Sequence, residues 1–441
     1  MRIVEGAEEG RRTVLLRRPL SEMEVPAHVR EMTRRVFGAD LSPAEAVSRI
    51  IADVRAEGDA AVLRYGQAFD GAAPPIAVPP EQTQAAYQEV DPALVEHLRF
   101  AAARIRSFHE LQMQHTQRSF LQGGLGMRVR PIERVGMYAA GSAIVYPSSI
   151  LMTVIPARVA GVPEVIVTTP PGPDGRVSPL KLVAADIAGV DRVFCAGGAQ
   201  AVAAMAFGTK TIPRVDKICG PGNLFVTLAK QQLFGSVGID AMYGPTETVV
   251  VADESADPAL CAADLLAQAE HDELARPILL TPCLALAKAI EQEVERQLAE
   301  IERSQVARVA LANGGIVVTA DLDEALALAN EFAPEHLCLL VRDAARWADK
   351  VENAGGVFVG ESSPEAMGDY TAGPSHVMPT GGSARYSSPL NVLDFLKITN
   401  VVDVGENGLR ELGPAAAAIA RAEGLTAHAR AIEMRLSKQQ P

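Results

Sequence analysis

Histidine is scarce in this chain, with 8 in 441 residues, and no stretch concentrates positive charge. The net charge is 41 − 54 = −13. The basic pairs Arg11-Arg12 and Arg17-Arg18 are split by an apolar run and read as a solvated edge. Nucleic acid and anionic membrane both need clustered Lys and Arg, so neither is expected as the main partner. No apolar run approaches the roughly 20 residues of a membrane span, and Ala415–Ala420 is far too short. The charged opening Met1–Glu9 does not read as a secretory signal, so the expectation is a cytoplasmic protein. Cysteines number 5, with no C-x-x-C, and each lies in an apolar stretch. Small buried thiols in a reducing compartment are the expectation. A G-x-G-x-x-G fingerprint after a strand is also missing, which removes the commonest signature of a dinucleotide site.

What is present is length and alternation. At roughly 100–200 residues per domain the chain holds two to four domains. Its 48% hydrophobic and 22% charged content suits a soluble globular enzyme. Residues 1–130 read mostly helical, with Ser42-Pro43 and Asp91-Pro92 as helix starts. From about 132 to 240, strand-like runs at 134–138, 164–169, 191–195 and 215–219 alternate with helical runs. A second alternating block follows from 247 to 360, with strands expected at 248–252, 277–281, 315–319, 336–341 and 356–360. Asp257 and Asp321 are the expected N-caps there. Such alternation predicts an α/β fold: two Rossmann-like parallel sheets with small helical N- and C-terminal parts. The helical tail from about 411 is too short to bury a core alone, so it must pack on the body or on a second subunit.

Four of the few histidines lie in segments rich in carboxylates or amides: Gln268-Ala-Glu-His271, Pro334-Glu335-His336, Asp369 with His376, and Glu423 with His428. Imidazole, carboxylate and amide oxygen make a borderline-hard donor set suited to Zn²⁺ or Mn²⁺. Gln268 and His271 are three apart on one helix, so both can face one side of its last turn. Glu335 and His336 follow Pro334 and open a strand. Their types suit proton transfer, with the two side chains expected on opposite sides of the extended segment. The plain alternatives, a polar helix end and two solvated residues, have similar weight for each segment alone. Cys195-Ala-Gly-Gly-Ala-Gln200 and Cys219-Gly-Pro-Gly-Asn223 each join a strand to a helix. Both are compatible with a nucleotide, although tight turns use glycine in any case. Tyr146-Pro-Ser-Ser149 could bind an anion or simply cap a helix. His97, His109 and His115 read as packing or surface residues.

With these segments in place, the chain resembles the histidinol dehydrogenase family from about residue 30 to its end. The resemblance is carried by Tyr146–Met152, Gly197–Ala201, Val215–Asn223, Gln268–His271, Ala333–Leu337, Gly368–His376, Pro379–Gly382, Ser387–Leu390, Asp394–Lys397 and Ala422–His428. It implies a zinc enzyme that oxidises L-histidinol to L-histidine with two NAD⁺ through the aldehyde. It implies zinc on Gln268, His271, Asp369 and His428, and acid–base chemistry by Glu335 and His336. It places NAD⁺ on Tyr138, Gln200 and Asn223, and substrate on Thr246, His376 and Glu423 together with His336 and the zinc residues. It also implies a homodimer in which Glu423 and His428 complete the partner's site. The corresponding division is 1–29 with 116–131 as a dimer-contact segment, 30–115 with 246–383 as the zinc domain, 132–245 as the NAD domain, and 384–441 as the exchanged tail. Tyr243, Thr246 and the turn Ala140–Ala143 depart from the family pattern and are candidates for reshaping the pocket. Other readings of the same residues are a related dehydrogenase for another polar alcohol, a metallohydrolase, or a metal-stabilised interaction protein.

Overall fold

Runs such as Thr248-Val-Val-Val and Ile278-Leu-Leu are β-branched or aliphatic at every position, the composition of strands buried on both faces. In the computed structural model, which describes residues 1–17, 27–116, 118–141 and 145–438, they form adjacent central strands of one parallel sheet. The strands are β1 (Ile3–Glu5), β2 (Phe120–Gln122), β3 (Leu125–Pro131), β4 (Arg134–Tyr138), β5 (Glu164–Thr169), β6 (Arg192–Cys195), β7 (Lys217–Cys219), β8 (Gly238–Ile239), β9 (Glu247–Ala252), β10 (Arg276–Thr281), β11 (Gly315–Val318), β12 (His336–Leu340), β13 (Gly356–Val359) and β14 (Leu396–Val402). The chain divides into two compact units, 1–113 with 132–395 and 114–131 with 396–441.

The first unit holds a six-stranded parallel sheet in the order β1-β11-β10-β9-β12-β13. Successive residues alternate between two buried cores. Val250, Leu279, Ile316 and Cys338 face the helices Pro258–Ala269, Leu284–Leu298 and Ser304–Asn313. Val249, Val251, Ile278, Leu280, Leu337 and Leu339 face helix Leu322–Phe332. The expected caps are in place: Asp257 accepts from Ala259 N–H at 2.8 Å and Asp321 from Glu324 N–H at 2.8 Å.

A five-stranded parallel sheet follows the order β6-β5-β4-β7-β8, with helices Pro147–Val159, Pro179–Ala188, Gly198–Phe207 and Leu224–Leu233 between its strands. Helices Pro43–Glu57 and Asp59–Asp70 bury Val47, Ile50, Val54, Val62 and Tyr65 in one core with Tyr138, Phe194, Val202 and Val226. The expected grouping of 30–115 with 246–383 therefore does not describe these two helices, which cover the five-stranded sheet. Helix Pro43–Glu57 starts as expected, in a capping box between Ser42 and Glu45.

Two N-terminal segments depart from the mostly helical expectation. Ile3–Glu5 is an edge strand paired with Ile316–Val318, too short to show a period. Residues 120–131 form β2 and β3, which join β14 in an antiparallel sheet of the second unit. That unit also holds helices Gly405–Ala422 and Thr426–Ser437, packed through Ala417, Ala420 and Ala429. Its small apolar core leaves Phe120, Leu121, Leu125, Ile398, Val402, Leu412, Ile419 and Met434 exposed.

Among the described residues, no helix is long and apolar enough to cross a membrane. All five cysteines are free, four of them buried.

Candidate active site

Helix Leu322–Phe332 ends in Ala333, which takes a left-handed conformation (φ 51°) and closes on Ala329 O. A non-glycine residue there carries strain, and it turns the chain so that Pro334 and Glu335 lead directly into β12. The turn thus belongs to Ala333 as much as to Pro334. Glu335 and His336 sit at the amino end of β12, beside Thr246 and Glu247 at the amino end of β9. This is the opposite end from the usual ligand end of an α/β sheet. The residues Tyr138, Gln200 and Asn223, in contrast, follow the carboxyl ends of β4, β6 and β7. His376 joins the two bodies: its Nδ1 meets Asp369 O at 3.0 Å and its Nε2 lies 3.4 Å from Ser149 Oγ, in the first turn of helix Pro147–Val159. The amino end of one sheet therefore faces the carboxyl end of the other.

Glu335 is 8% exposed. One carboxylate oxygen, Oε2, accepts from the Thr246 hydroxyl at 2.6 Å and from the Glu247 N–H at 3.1 Å. Burial pushes its pKa up to about 7, against those hydrogen bonds and the neighbouring imidazole. His336, 4% exposed, has Nδ1 at 3.3 Å from Glu247 O and 3.8 Å from Glu335 Oε2. The two side chains converge, correcting the expectation that they point apart; Glu335 precedes the strand and does not follow its alternation. On the other side of the ring, Nε2 has no hydrogen-bond partner among the described residues and lies 3.7 Å from Asp369 Oδ1. Burial alone would lower the His336 pKa, but Glu335, Glu365 and Asp369 together raise it to about 10.

Asp369 lies on the short helix Glu365–Tyr370. Burial opposes its charge, yet His336, His376 and His271 hold its pKa below the ordinary carboxylate value. Helix Pro258–Ala269 carries Gln268 at its end, and His271 follows one residue beyond the cap, its N–H on Gln268 O at 3.2 Å. Burial lowers the pKa of both His271 and His376, the neutral form being the one that ligates or accepts. The His271 ring makes no hydrogen bond among the described residues. Gln268 is buried, with its amide nitrogen donating to Glu365 Oε1 at 3.1 Å and its oxygen accepting from the Glu247 N–H at 3.2 Å, against the Thr246 hydroxyl.

Gln268, His271 and Asp369 thus supply amide, imidazole and carboxylate donors to one region, and their chemistry fits a zinc ion with further positions to be filled. Among the described residues, no group of three or more His, Cys, Asp and Glu could hold a metal alone. The remaining two candidates, Glu423 and His428, lie exposed in the second unit, at the end of one helix and the start of the next.

The glycine turns are built from within. The Tyr138 hydroxyl accepts from Gly198 N–H at 3.0 Å. Gly198 has φ 63°, and a Cβ there would stand 2.6 Å from Gln200 Oε1. Asn223 caps helix Leu224–Leu233, accepting from Phe225 and Val226 N–H at 3.1 and 3.2 Å. Tyr243 is tied into the same region. Its hydroxyl donates to Asp240 at 2.9 Å, and Lys230, also paired with Asp240, lies 4.7 Å from its ring centre and donates to Gly220 O. This departure supports the Gly220–Asn223 turn. Of the turn Ala140–Ala143, Ser142 and Ala143 lie outside the described residues, as does Arg18.

Three supporting residues were not singled out from sequence. Glu365, 1% exposed, accepts from Thr248 Oγ1 at 2.6 Å and anchors Gln268. Its spacing of four from Asp369 on one helix was the available signal. Glu247 is gripped by Arg17, whose Nε and Nη2 donate to Oε1 and Oε2 at 2.9 and 2.5 Å while the guanidinium covers the Phe332 ring at 3.6 Å. Arg17 is therefore a buttress of the site, not part of a solvated edge.

Two doubly wound bodies that meet over a buried carboxylate–imidazole pair define an α/β protein with an enzyme-like proton-transfer site. The histidinol dehydrogenase family model matches residues 35–436. A histidinol dehydrogenase of Deinococcus radiodurans is 50% identical over 444 residues, covering 99% of this chain and 100% of its own. One from Thermus thermophilus is 50% identical over 406 residues, covering 91% of this chain and 97% of its own. The solved structure of histidinol dehydrogenase from Elizabethkingia anophelis aligns with a TM-score of 0.87 at 34% identity, covering 100% of this chain and 99% of that one. The chain belongs to the histidinol dehydrogenase family.

Proposed function

We propose that this enzyme oxidises L-histidinol to L-histidine through the aldehyde, the closing steps of histidine biosynthesis, using two NAD⁺ and one zinc ion per subunit. The observation that carries the reading is the buried Glu335–His336 pair, set between a nitrogen- and oxygen-donor cluster and the carboxyl ends of a nucleotide-type sheet. Gln268, His271 and Asp369 would hold the zinc, with His428 of a second copy as the fourth ligand. When bound, zinc would anchor the substrate's imidazole and amine and offset the charge of Asp369, one of the three carboxylates that raise the His336 pKa, which favours the neutral imidazole needed as a base.

In the alcohol step, His336 takes the hydroxyl proton as hydride leaves the carbinol carbon for NAD⁺, giving aldehyde and NADH. Glu335 then takes a proton from the water adding to the aldehyde. It is suited to this by a pKa near 7 and by the two donors that aim its carboxylate. Once His336 has passed its first proton to solvent, it takes the hydrate's hydroxyl proton as the second hydride leaves, giving the carboxylate and a second NADH. Thr246 fixes Glu335, while His376 and Glu423 hold the substrate. Tyr138, Gln200 and Asn223 would border the nucleotide, the first and last also shaping its turns.

The exposed apolar side chains of the second unit, including Leu412, Ile419 and Met434, support a homodimer in which Glu423 and His428 serve the partner's site. The test is metal analysis alongside turnover. The reading expects about one zinc per chain, NADH formation from L-histidinol, loss of both on chelation and recovery with Zn²⁺. Zinc-loaded protein that reduces NAD⁺ only with another polar alcohol would overturn the substrate assignment. Zinc-loaded protein that hydrolyses an amide or ester without using NAD⁺ would overturn the reaction class.

A further inference from the structure

The end of helix Asp59–Asp70 meets the turn after β6 around a cavity of ≈ 10 Å³, room for about one water-sized group. Asp70, Pro171, Cys195, Gly197 and Gln200 line it. Two of the lining acceptors, Asp70 Oδ2 and Gln200 Oε1, are buried and have no hydrogen-bond partner among the described residues. Gln200 is 1% exposed, and its oxygen is folded back over Gly198. Buried acceptors are nearly always satisfied, so two at one cavity call for a guest that brings donors. A phosphate brings none to a carboxylate and would be repelled. An amino group or sugar hydroxyls would match.

The cavity's position narrows the guest further. It opens beyond the carboxyl ends of β5 and β6, on one side of the switch point between β4 and β7. A dinucleotide lying across that switch point places one nucleoside on each side. Resting on the NAD⁺ reading above, we propose that Asp70 and Gln200 form a subsite for the adenosine half of NAD⁺, accepting hydrogen bonds from its donor groups. Asp70 is then a nucleotide-contacting residue. It lies outside the glycine turns, at the end of a helix that packs Val62 and Tyr65 into the core and whose first residue, Asp59, accepts from the Thr211 hydroxyl at 2.7 Å. Both the adenine amino group and the ribose hydroxyls carry the required chemistry.

Binding to the full-length protein separates these sources. Titrations would use NAD⁺, its hypoxanthine analogue, which lacks the amino group, and NADP⁺, which carries phosphate on the 2′-hydroxyl. On the unaltered protein, an amine contact predicts about tenfold or more weaker binding of the hypoxanthine analogue. A ribose contact predicts that loss for NADP⁺ instead. Asp70→Asn should weaken NAD⁺ by about tenfold or more and narrow whichever gap the unaltered protein shows. Equal binding of all three dinucleotides by the unaltered protein would overturn the subsite without relying on a variant. So would a folded Asp70→Asn protein that binds NAD⁺ within about twofold of the original, since the cavity would then hold water. Failure of the unaltered protein to bind NAD⁺ at all is a separate result, which would sink the dinucleotide reading itself.

Discussion

Thr246 departs from the family pattern, yet its hydroxyl donates to Glu335 at 2.6 Å. Its consequence belongs to the proton-transfer geometry: Thr246→Ala should lower kcat with L-histidinol by about tenfold, while Thr246→Ser restores most of it. A steady-state comparison of the three proteins checks this, and full activity in the alanine variant would remove Thr246 from the site. Asp70 makes the complementary case for stability. Burial raises its pKa to about 6 from the ordinary 3.8, so between those values the native state binds more protons than the unfolded one. Its contribution therefore becomes unfavourable as pH rises through that window and stays so above it. Asp70→Asn should stabilise the nucleotide-free protein by about 1 kcal/mol at pH 7 and by nothing near pH 3. Thermal melts across that range decide it; an unchanged or lower Tm at pH 7 would contradict the account. At this scale the ligating and acid–base types stood out because histidine is rare. Glu365, Glu247 and Arg17 were not visible. A buried carboxylate pair or a paired arginine looks like any surface charge until folding brings the partner close, here 230 residues away for Arg17 and Glu247.

At the scale of elements, alternating β-branched runs and helices announced the parallel sheets, and the Ser42, Asp257 and Asp321 caps fell where the residue types placed them. Ile3–Glu5 is too short for any period, and in β3 the glycine, arginines and proline mask the pattern of a solvated antiparallel strand. Helix 43–57 was read from its Ser-Pro start and helix 59–70 lies in the stretch read as mostly helical, but nothing local states which sheet an amphipathic face will meet. The core of the six-stranded sheet supports the amino ends of β9 and β12 directly. Leu279 at its centre is fully buried between β9 and β11. Leu279→Ala should cost about 2–5 kcal/mol in chemical denaturation; a loss below about 1 kcal/mol would show that this core can collapse around the gap.

At the scale of the molecule, the proposed site residues are divided between two units of the chain: Gln268, His271 and Asp369 lie in one, and the proposed fourth ligand His428 and substrate residue Glu423 in the other. From its length the tail was expected to pack on the body or on a second copy; its antiparallel sheet was not legible. If each site takes its tail residues from a second copy, two inactive variants can repair each other. Mixing Glu335→Gln with His428→Ala chains under conditions that allow subunit exchange should recover about a quarter of normal activity. One site in a mixed dimer is then intact, and half of the dimers are mixed. Repeating the mixture without exchange should recover none, and activity absent from both would refute the shared site.

The central claim is a four-electron oxidation by one site. It is tested most directly by supplying limiting L-histidinol with excess NAD⁺ and Zn²⁺ and measuring the NADH formed at completion. The account predicts two NADH per histidinol, with histidine as the product and no NADH after chelation. One NADH per histidinol with aldehyde released, or no NADH from zinc-loaded protein, would contradict it.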